Sequence, residues 1–579
     1  MSTALNIAPP RQFVDEVRAL LAAPQRTPGV DDYLRAWSDW WLGLVTKPEL
    51  QIALAQSAIA AGVDTWRFAA AATAQALPHG DGAMHGNADT PFAGNAWNLW
   101  PFSIYARGHS HLKKWSKQAL AAAGGMSAEN ALRLEFLRRL MLDAASPAHY
   151  LLTNPELLAQ TAAEAGVNLL RGAQYWLEDA AHMFDGGAAP GTENFRVGVQ
   201  VAVTPGKIVM RNQLVELIQY SPQSATVHAE PILITPAWIM KYYVLDLSPR
   251  NSLVKFLVER GHTVFMMSWK NPTAADRNLT MDDYLQLGLR AALDAVATIV
   301  PGQRVHTVGY CIGGTLLAIG AAALARAGDQ RIASITLLAA QTDFSEPGEL
   351  SVFISPNQLA ALEVQMQRDG VLRSENMGAA FALLRANDLV WAPAINQYVR
   401  GQRGSINDLM AWNADGTRMP CRMHSEYLTR LYLHNDLSAG RYTAEGAPVD
   451  LKQLTVPMFV VGTETDHVAP WQSVFKTRAL TRSEDYTFVL TSGGHNAGIV
   501  SGAINPKRRH RLLHWRDATD SSPAAFLESA ELREGSWWPS WQLWLAGHST
   551  AATVAPPQLG NSGSGYPALW DAPGDYVRG

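Results

Sequence analysis

Arg304-Val305-His306-Thr307-Val308-Gly309-Tyr310-Cys311-Ile312-Gly313-Gly314-Thr315-Leu316-Leu317-Ala318-Ile319 carries the chain's clearest fold signal. Val305 to Gly309 reads as a short buried strand, and Thr315 to Arg326 as an apolar helix. Between them, Gly309-Tyr310-Cys311-Ile312-Gly313-Gly314 has the spacing of a nucleophile elbow with cysteine in place of serine. A strand that turns directly into a helix forces its central residue into a strained backbone conformation, and flanking glycines remove the Cβ atoms that would collide there. Cys311 is thereby pushed out of the sheet, and the start of a helix favours a thiolate over a thiol. With 45 glycines and two cysteines in 579 residues, chance yields G-x-C-x-G only about 0.01 times, so the alternative of a buried, inert cysteine loses weight at this position. The backbone N–H of Ile312 reads as an oxyanion donor, with a second donor from the loop after Pro231 to Thr235. Cys421, in Pro420-Cys421-Arg422, has no such context and reads as a structural thiol.

Outward from the elbow, short apolar runs of buried-strand type recur at Pro231 to Thr235, Thr263 to Trp269, Ile332 to Ala339, Val456 to Gly462 and Tyr486 to Thr491. Helix-like stretches separate them at Asn251 to Arg260 and Met281 to Val300. Strand alternating with helix implies a parallel, doubly wound sheet. With an elbow on one of its strands, the expected class is α/β, an α/β-hydrolase fold. Phe195 to Val203 and Lys207 to Gln219 flank the turn signal Thr204-Pro205-Gly206-Lys207 and read as a hairpin opening this domain. The pause of about a hundred residues after Ala339 reads as an inserted lid, about 342–437. Residues 1–190 read as a helical N-terminal region, 191–549 as the catalytic domain, and the Gly, Pro, Ser and Ala-rich 550–579 as a flexible tail.

An elbow cysteine needs a histidine within hydrogen-bond reach, and in this fold the chain order is nucleophile, acid, histidine. Thr463-Glu464-Thr465-Asp466-His467 follows the strand-like Val456 to Gly462, and Ser492-Gly493-Gly494-His495 follows Tyr486 to Thr491. Asp466 and His495 are therefore the expected acid and base. His467 reads as a support residue, because successive residues at a strand end point to different faces. Asp343 is the rival acid, one strand earlier.

The rest of the composition mainly excludes. Forty-seven basic against 51 acidic side chains leave no polybasic footprint for nucleic acid. Two cysteines cannot form a disulfide framework or a four-cysteine zinc site, which points to a reducing compartment. MSTALNIAPPRQF lacks the basic and apolar regions of a signal peptide, and the longest apolar stretch, Thr315 to Ala325, is too short to span a bilayer, so a cytosolic protein is expected. No metal cluster, dinucleotide fingerprint or phosphate loop is present in the sequence, so no bound cofactor is expected. Trp37, Trp40, Trp41 and Leu44 fall on one helix face, read as a core or subunit contact, with an apolar particle as the other reading.

At these residues the chain resembles the polyhydroxyalkanoate synthases, bacterial enzymes that polymerise 3-hydroxyacyl-CoA into polyester. The resemblance runs from about Phe92 to Leu545 and includes Phe92-Ala93-Gly94-Asn95-Ala96-Trp97, Tyr150 to Glu156, Ala202 to Lys207, Trp238 to Tyr243, Ser248 to Val254, Asn387 to Trp391 and Gly535-Ser536-Trp537-Trp538-Pro539. Carried over by motif, Cys311 matches the acyl-carrying cysteine, Asp466 the catalytic aspartate and His495 the catalytic histidine. The length, the helical N-terminal region and the Gly-Gly-Thr after the elbow resemble the class I, single-subunit synthases. The resemblance implies a poly-3-hydroxybutyrate type of activity on short-chain substrates such as 3-hydroxybutyryl-CoA, with CoA released through a covalent cysteine thioester. It further implies a nascent polyester as partner, a homodimer, and a cytoplasmic location on polyester granules and their associated proteins. Two departures stand out: Gly493-Gly494-His495-Asn496-Ala497-Gly498 replaces a common Ser-Gly-His-Ile-Ala-Gly, and Asn505-Pro506-Lys507 replaces Asn-Pro-Pro. The competing readings are a cysteine-dependent esterase or thioesterase of the same fold and a non-catalytic granule-associated protein.

Overall fold

The structure is a computed structural model and describes residues 30–74, 91–184, 190–502, 505, 507–515 and 522–579. It divides into two compact units: one from Met1–Ala189 with Ala379–Ser405, the other from Pro190–Gly378 with Ile406–Gly579.

The second unit is built on one ten-stranded sheet. Its strands are β1 (Gly206–Arg211), β2 (Val215–Tyr220), β3 (Ile232–Thr235), β4 (Val264–Trp269), β5 (Val305–Tyr310), β6 (Ile332–Leu338), β7 (Met458–Thr463), β8 (Tyr486–Thr491), β9 (Arg509–Trp515) and β10 (Glu531–Glu534). They lie in the order β1-β2-β4-β3-β5-β6-β7-β8-β9-β10. The block from β4 through β8 is parallel, and the strands outside it pair antiparallel. Every residue of β3 to β8 is buried. That burial accounts for their unbroken apolar runs, because crossover connections cover both faces of a parallel sheet.

The first strands differ from the sequence expectation. Phe195 to Val203 forms turns with a single bridge between Val197 and Val201, and the hairpin instead folds within the 207–219 stretch. Asn212 causes this, since its side-chain oxygen accepts the N–H groups of Leu214 and Val215 at 2.9 Å each, a side-chain-built turn. Thr204 does not turn the chain; its hydroxyl donates to the buried Asp246 at 2.5 Å.

The composition of 550–579 suggested a flexible tail, whereas the structure seats it along β1 and β2. Ile208 N–H donates to Trp570 O (2.9 Å), Leu569 N–H to Ile208 O (2.8 Å) and Ala572 N–H to Gly206 O (3.0 Å). The fully buried carboxylate of Glu216 accepts the N–H groups of Asp575 (2.9 Å) and Tyr576 (3.0 Å). The sheet edge offers unpaired backbone groups, and the tail, however poor in large side chains, has its own backbone to pair with them.

The other unit is helical: α1 (Val30–Val45), α2 (Pro48–Ala74), α3 (Phe102–Ala122), α4 (Ala128–Ala144), α5 (Pro155–Ala163) and α6 (Val167–Phe184). Asp64 on α2 binds Arg107 and His111 of α3, each at 2.8 Å. The tryptophan stripe is divided. Leu44 is buried and the Trp40 indole donates to Ala119 O (2.9 Å), but Trp37 and Trp41 are about half exposed and stack on each other at 5.8 Å. The expected lid is divided as well. Residues 379–405 belong with the helices, held by Asn168 to Val399 O (2.9 Å), Tyr398 to Asp179 (2.9 Å) and His149 stacked on Trp391 (4.9 Å). Gly172 admits this packing, since a Cβ there would lie 2.0 Å from Tyr398 O.

Candidate active site

Cys311 follows β5 and caps α7 (Ile312–Arg326), with φ 53° and ψ −129°. The elbow closes only because of its glycines. A Cβ on Gly309 would lie 2.4 Å from Gly314 Cα, and one on Gly313 would lie 2.4 Å from the carbonyl oxygens of Thr235 and Pro236. The Cys311 N–H donates to Leu338 O (2.9 Å), and its carbonyl accepts Gly314 (2.9 Å) and Thr315 (3.2 Å). Ile312 opens α7, so its N–H has no partner within the helix, and it has none elsewhere among the described residues.

The structure brings the three separated side chains together. His495 Nδ1 lies 2.8 Å from Asp466 Oδ2, and the imidazole lies against the elbow, its ring 5.6 Å from that of Tyr310, the residue before Cys311. Asp466 is held from every side: Oδ2 also accepts the Thr463 hydroxyl (2.8 Å), and Oδ1 accepts the N–H groups of Val468 and Ala469, both 2.8 Å. Burial opposes its ionisation, but His495 and these donors outweigh that and hold the carboxyl below its ordinary range. Burial likewise works against a charged His495, yet Asp466 and Cys311 hold its proton affinity well above that of a free imidazole.

The two other candidates lie apart from this contact. Asp343 accepts from the Ser345 N–H (2.7 Å) and hydroxyl (2.5 Å) and from Asn435 (3.2 Å), so its carboxylate is committed to a turn. His467 Nδ1 faces Glu349 at 3.9 Å. Cys421 opens the short helix Cys421–Tyr427, its thiol pushed up by burial.

Several residues around the site escape sequence reasoning. Tyr310 and Asn496, each next in chain to a member of the pair Cys311 and His495, are joined by a hydrogen bond from the Tyr310 hydroxyl to Asn496 Oδ1 (2.5 Å). The indoles of Trp537 and Trp538, at the start of α8 (Trp538–Gly547), donate to Gly498 O (3.1 Å) and Ile499 O (2.9 Å), anchoring the loop that carries His495. Arg508 braces the same loop through Ser492 O (3.1 Å) and the Ser501 hydroxyl (3.2 Å). The double tryptophan was visible as a motif, but nothing local to it names the carbonyls it binds. From the insertion, the buried Tyr427 and Tyr432 pack edge to face at 5.4 Å, and Tyr432 lies against Phe344 at 5.0 Å. Among the described residues no group of His, Cys, Asp and Glu is arranged to hold a metal ion, and no helix is long and apolar enough to cross a membrane.

This strand order, with an elbow after the fifth strand, an acid after the seventh and a histidine after the eighth, defines an α/β-hydrolase fold, and the family model so described matches residues 230–501. A second family model, described as "Poly-beta-hydroxybutyrate polymerase (PhaC) N-terminus", matches residues 88–257. A poly(3-hydroxyalkanoate) polymerase from Methylorubrum extorquens is 39% identical over 85% of this chain and 80% of its own length. The poly(3-hydroxyalkanoate) polymerase subunit from Cupriavidus necator is 36% identical over 88% of this chain and 85% of its own. Poly(3-hydroxyalkanoate) polymerase 2 of Ectopseudomonas oleovorans is 34% identical over 86% and 88%. The chain belongs to the poly(3-hydroxyalkanoate) polymerase family, acyltransferase-type enzymes on a hydrolase fold.

Proposed function

We propose that this chain polymerises 3-hydroxyacyl-CoA, short-chain substrates such as 3-hydroxybutyryl-CoA in particular, through a covalent thioester on Cys311. The observation that carries the reading is the His495–Asp466 pair set against an elbow that holds Cys311 in a strained conformation suited to presenting a nucleophile. His495 takes the Cys311 proton, the sulfur attacks the thioester carbonyl, the bond to CoA breaks, and CoA leaves with the proton. Exchanging one thioester for another keeps the acyl group activated, which a serine ester would not. The N–H of Ile312 and one from the loop after β3 stabilise the oxyanion. In elongation His495, oriented and charge-balanced by Asp466, removes the proton of a 3-hydroxyl group. That oxygen attacks the acyl-Cys311, an ester forms and the thiol is restored. CoA enters and leaves as part of the substrate, and the steps use no resident cofactor.

The stacked, half-exposed Trp37 and Trp41 support contact with an apolar surface, and we assign the enzyme to cytoplasmic polyester granules, as a homodimer. Incubation with 3-hydroxybutyryl-CoA tests the reading: insoluble polyester with stoichiometric CoA supports it, and free hydroxy acid alone makes the chain a thioesterase. Cys311→Ala abolishes CoA release; a variant that still turns over overturns the assignment of the nucleophile. A wild-type protein that never acylates at Cys311 leaves a non-catalytic granule protein.

A further inference from the structure

We propose that Thr417, carried by the insertion between β6 and β7, is a positioning residue that aims the second oxyanion donor; the inference rests on the acyl-transfer reading above. The loop after β3 begins Pro236-Ala237-Trp238-Ile239 and lies on the elbow, its first carbonyls against Gly313. Pro236 has no N–H, so the first donors the loop offers are those of Ala237 and Trp238. Both residues are buried, and neither N–H has a hydrogen-bond partner among the described residues. Unpaired amides in buried residues are rare in folded proteins, and here they lie on the loop packed against Gly313, next in chain to the unpaired N–H of Ile312.

The loop that carries them is pinned at both ends. The Trp269 indole donates to Pro236 O (2.9 Å), and the buried Thr417 hydroxyl donates to Trp238 O (2.6 Å), within reach also of Ile239 O. Each peptide plane is rigid, so holding Pro236 O fixes the Ala237 N–H that shares its plane, and holding Trp238 O fixes the plane between Trp238 and Ile239, which limits the rotation left to the Trp238 N–H between the two pins. The first pin comes from the sheet itself, the second from the insertion. Thr417 does not fasten the insertion alone: Trp412 donates to Lys241 O (2.8 Å), and Asp415 binds Lys241 and the Tyr243 hydroxyl, each at 2.9 Å. Removing one hydroxyl therefore leaves the segments docked and releases the tilt of the Trp238 peptide.

Thr417→Val keeps the shape and deletes the hydroxyl. Single-turnover CoA release from 3-hydroxybutyryl-CoA slows roughly 10-fold or more, because a misplaced donor is lost mainly in the transition state. KM stays near wild type, and Thr417→Ser restores the rate to within about threefold. Alkylation of Cys311 by iodoacetamide, which develops no oxyanion, is unchanged. If Thr417→Val does not fold, Thr417→Ala carries the same test. A burst as fast as wild type, a serine variant as slow as valine, or alkylation slowed in parallel overturns the positioning role. A wild-type enzyme with no CoA burst overturns the acyl-transfer reading, and this inference with it.

Discussion

The hydrogen bond between Tyr310 and Asn496 couples the residue before the cysteine to the residue after the histidine, and its two ends differ in burial. Tyr310 is 2% exposed, whereas Asn496 keeps contact with solvent. Asn496→Leu leaves a buried hydroxyl without its acceptor, a loss of about 1–3 kcal/mol. Tyr310→Phe leaves only the Asn496 amide, which water can reach, and costs about 0.5–1.5 kcal/mol. The double variant loses little beyond Tyr310→Phe alone, giving a coupling energy close to the whole Asn496→Leu loss, about 1–3 kcal/mol. Urea unfolding of the four proteins measures this cycle. Single-turnover CoA release adds the functional reading: Asn496→Leu slows the burst roughly 10-fold by loosening the base against the thiol. Tyr310→Phe proving as destabilising as Asn496→Leu, or strictly additive losses, would rule this coupling out. Position 496 is also where this chain departs from the isoleucine of the common motif, so the coupling belongs to the variant sequence itself.

Gly313→Ala places a Cβ 2.4 Å from Pro236 O; CoA release falls at least about 100-fold while circular dichroism stays native, and a rate near wild type would show that the loop after β3 plays no part. Burial depresses the folded-state pKa of His262 to about 3 and of His306 and His424 to about 4. Each therefore contributes stability that is complete above pH 6.5 and is lost as pH falls from there toward 4, or toward 3 for His262, about 2 kcal/mol apiece by pH 5. Asp246, raised by burial to about 6, acts in the opposite direction and returns about 1 kcal/mol over the same window. Urea midpoints at pH 7.5 and 5.0 should thus fall with acidity, and a flat profile would contradict the burial of the histidines. Deleting 569–579 strips Glu216 of both its N–H donors and bares β1; we expect a loss of about 3 kcal/mol and concentration-dependent aggregation, and an unchanged melting temperature would mean the tail does not dock.

What is local in this fold was legible from the residues. A strand, a strained turn and a helix must be contiguous to make an elbow, so the glycines around Cys311 and the short runs that alternate with helices could be read without coordinates. The order in which Asp466 and His495 follow was legible for the same reason, each lying just past a buried-strand run. Tertiary structure alone decided the rest. The hairpin moved because one side chain, Asn212, competes for backbone N–H groups, and the tail docked because β1 has backbone left to pair; a composition count registers neither. The insertion split because residues 379–405 find their partners on α6, more than 200 positions away in the chain. Thr417 meets Trp238 across 179 positions, and Tyr310 meets Asn496 across 186. Such contacts leave no periodicity, since what selects them is the surface two distant segments present once each has packed against the sheet.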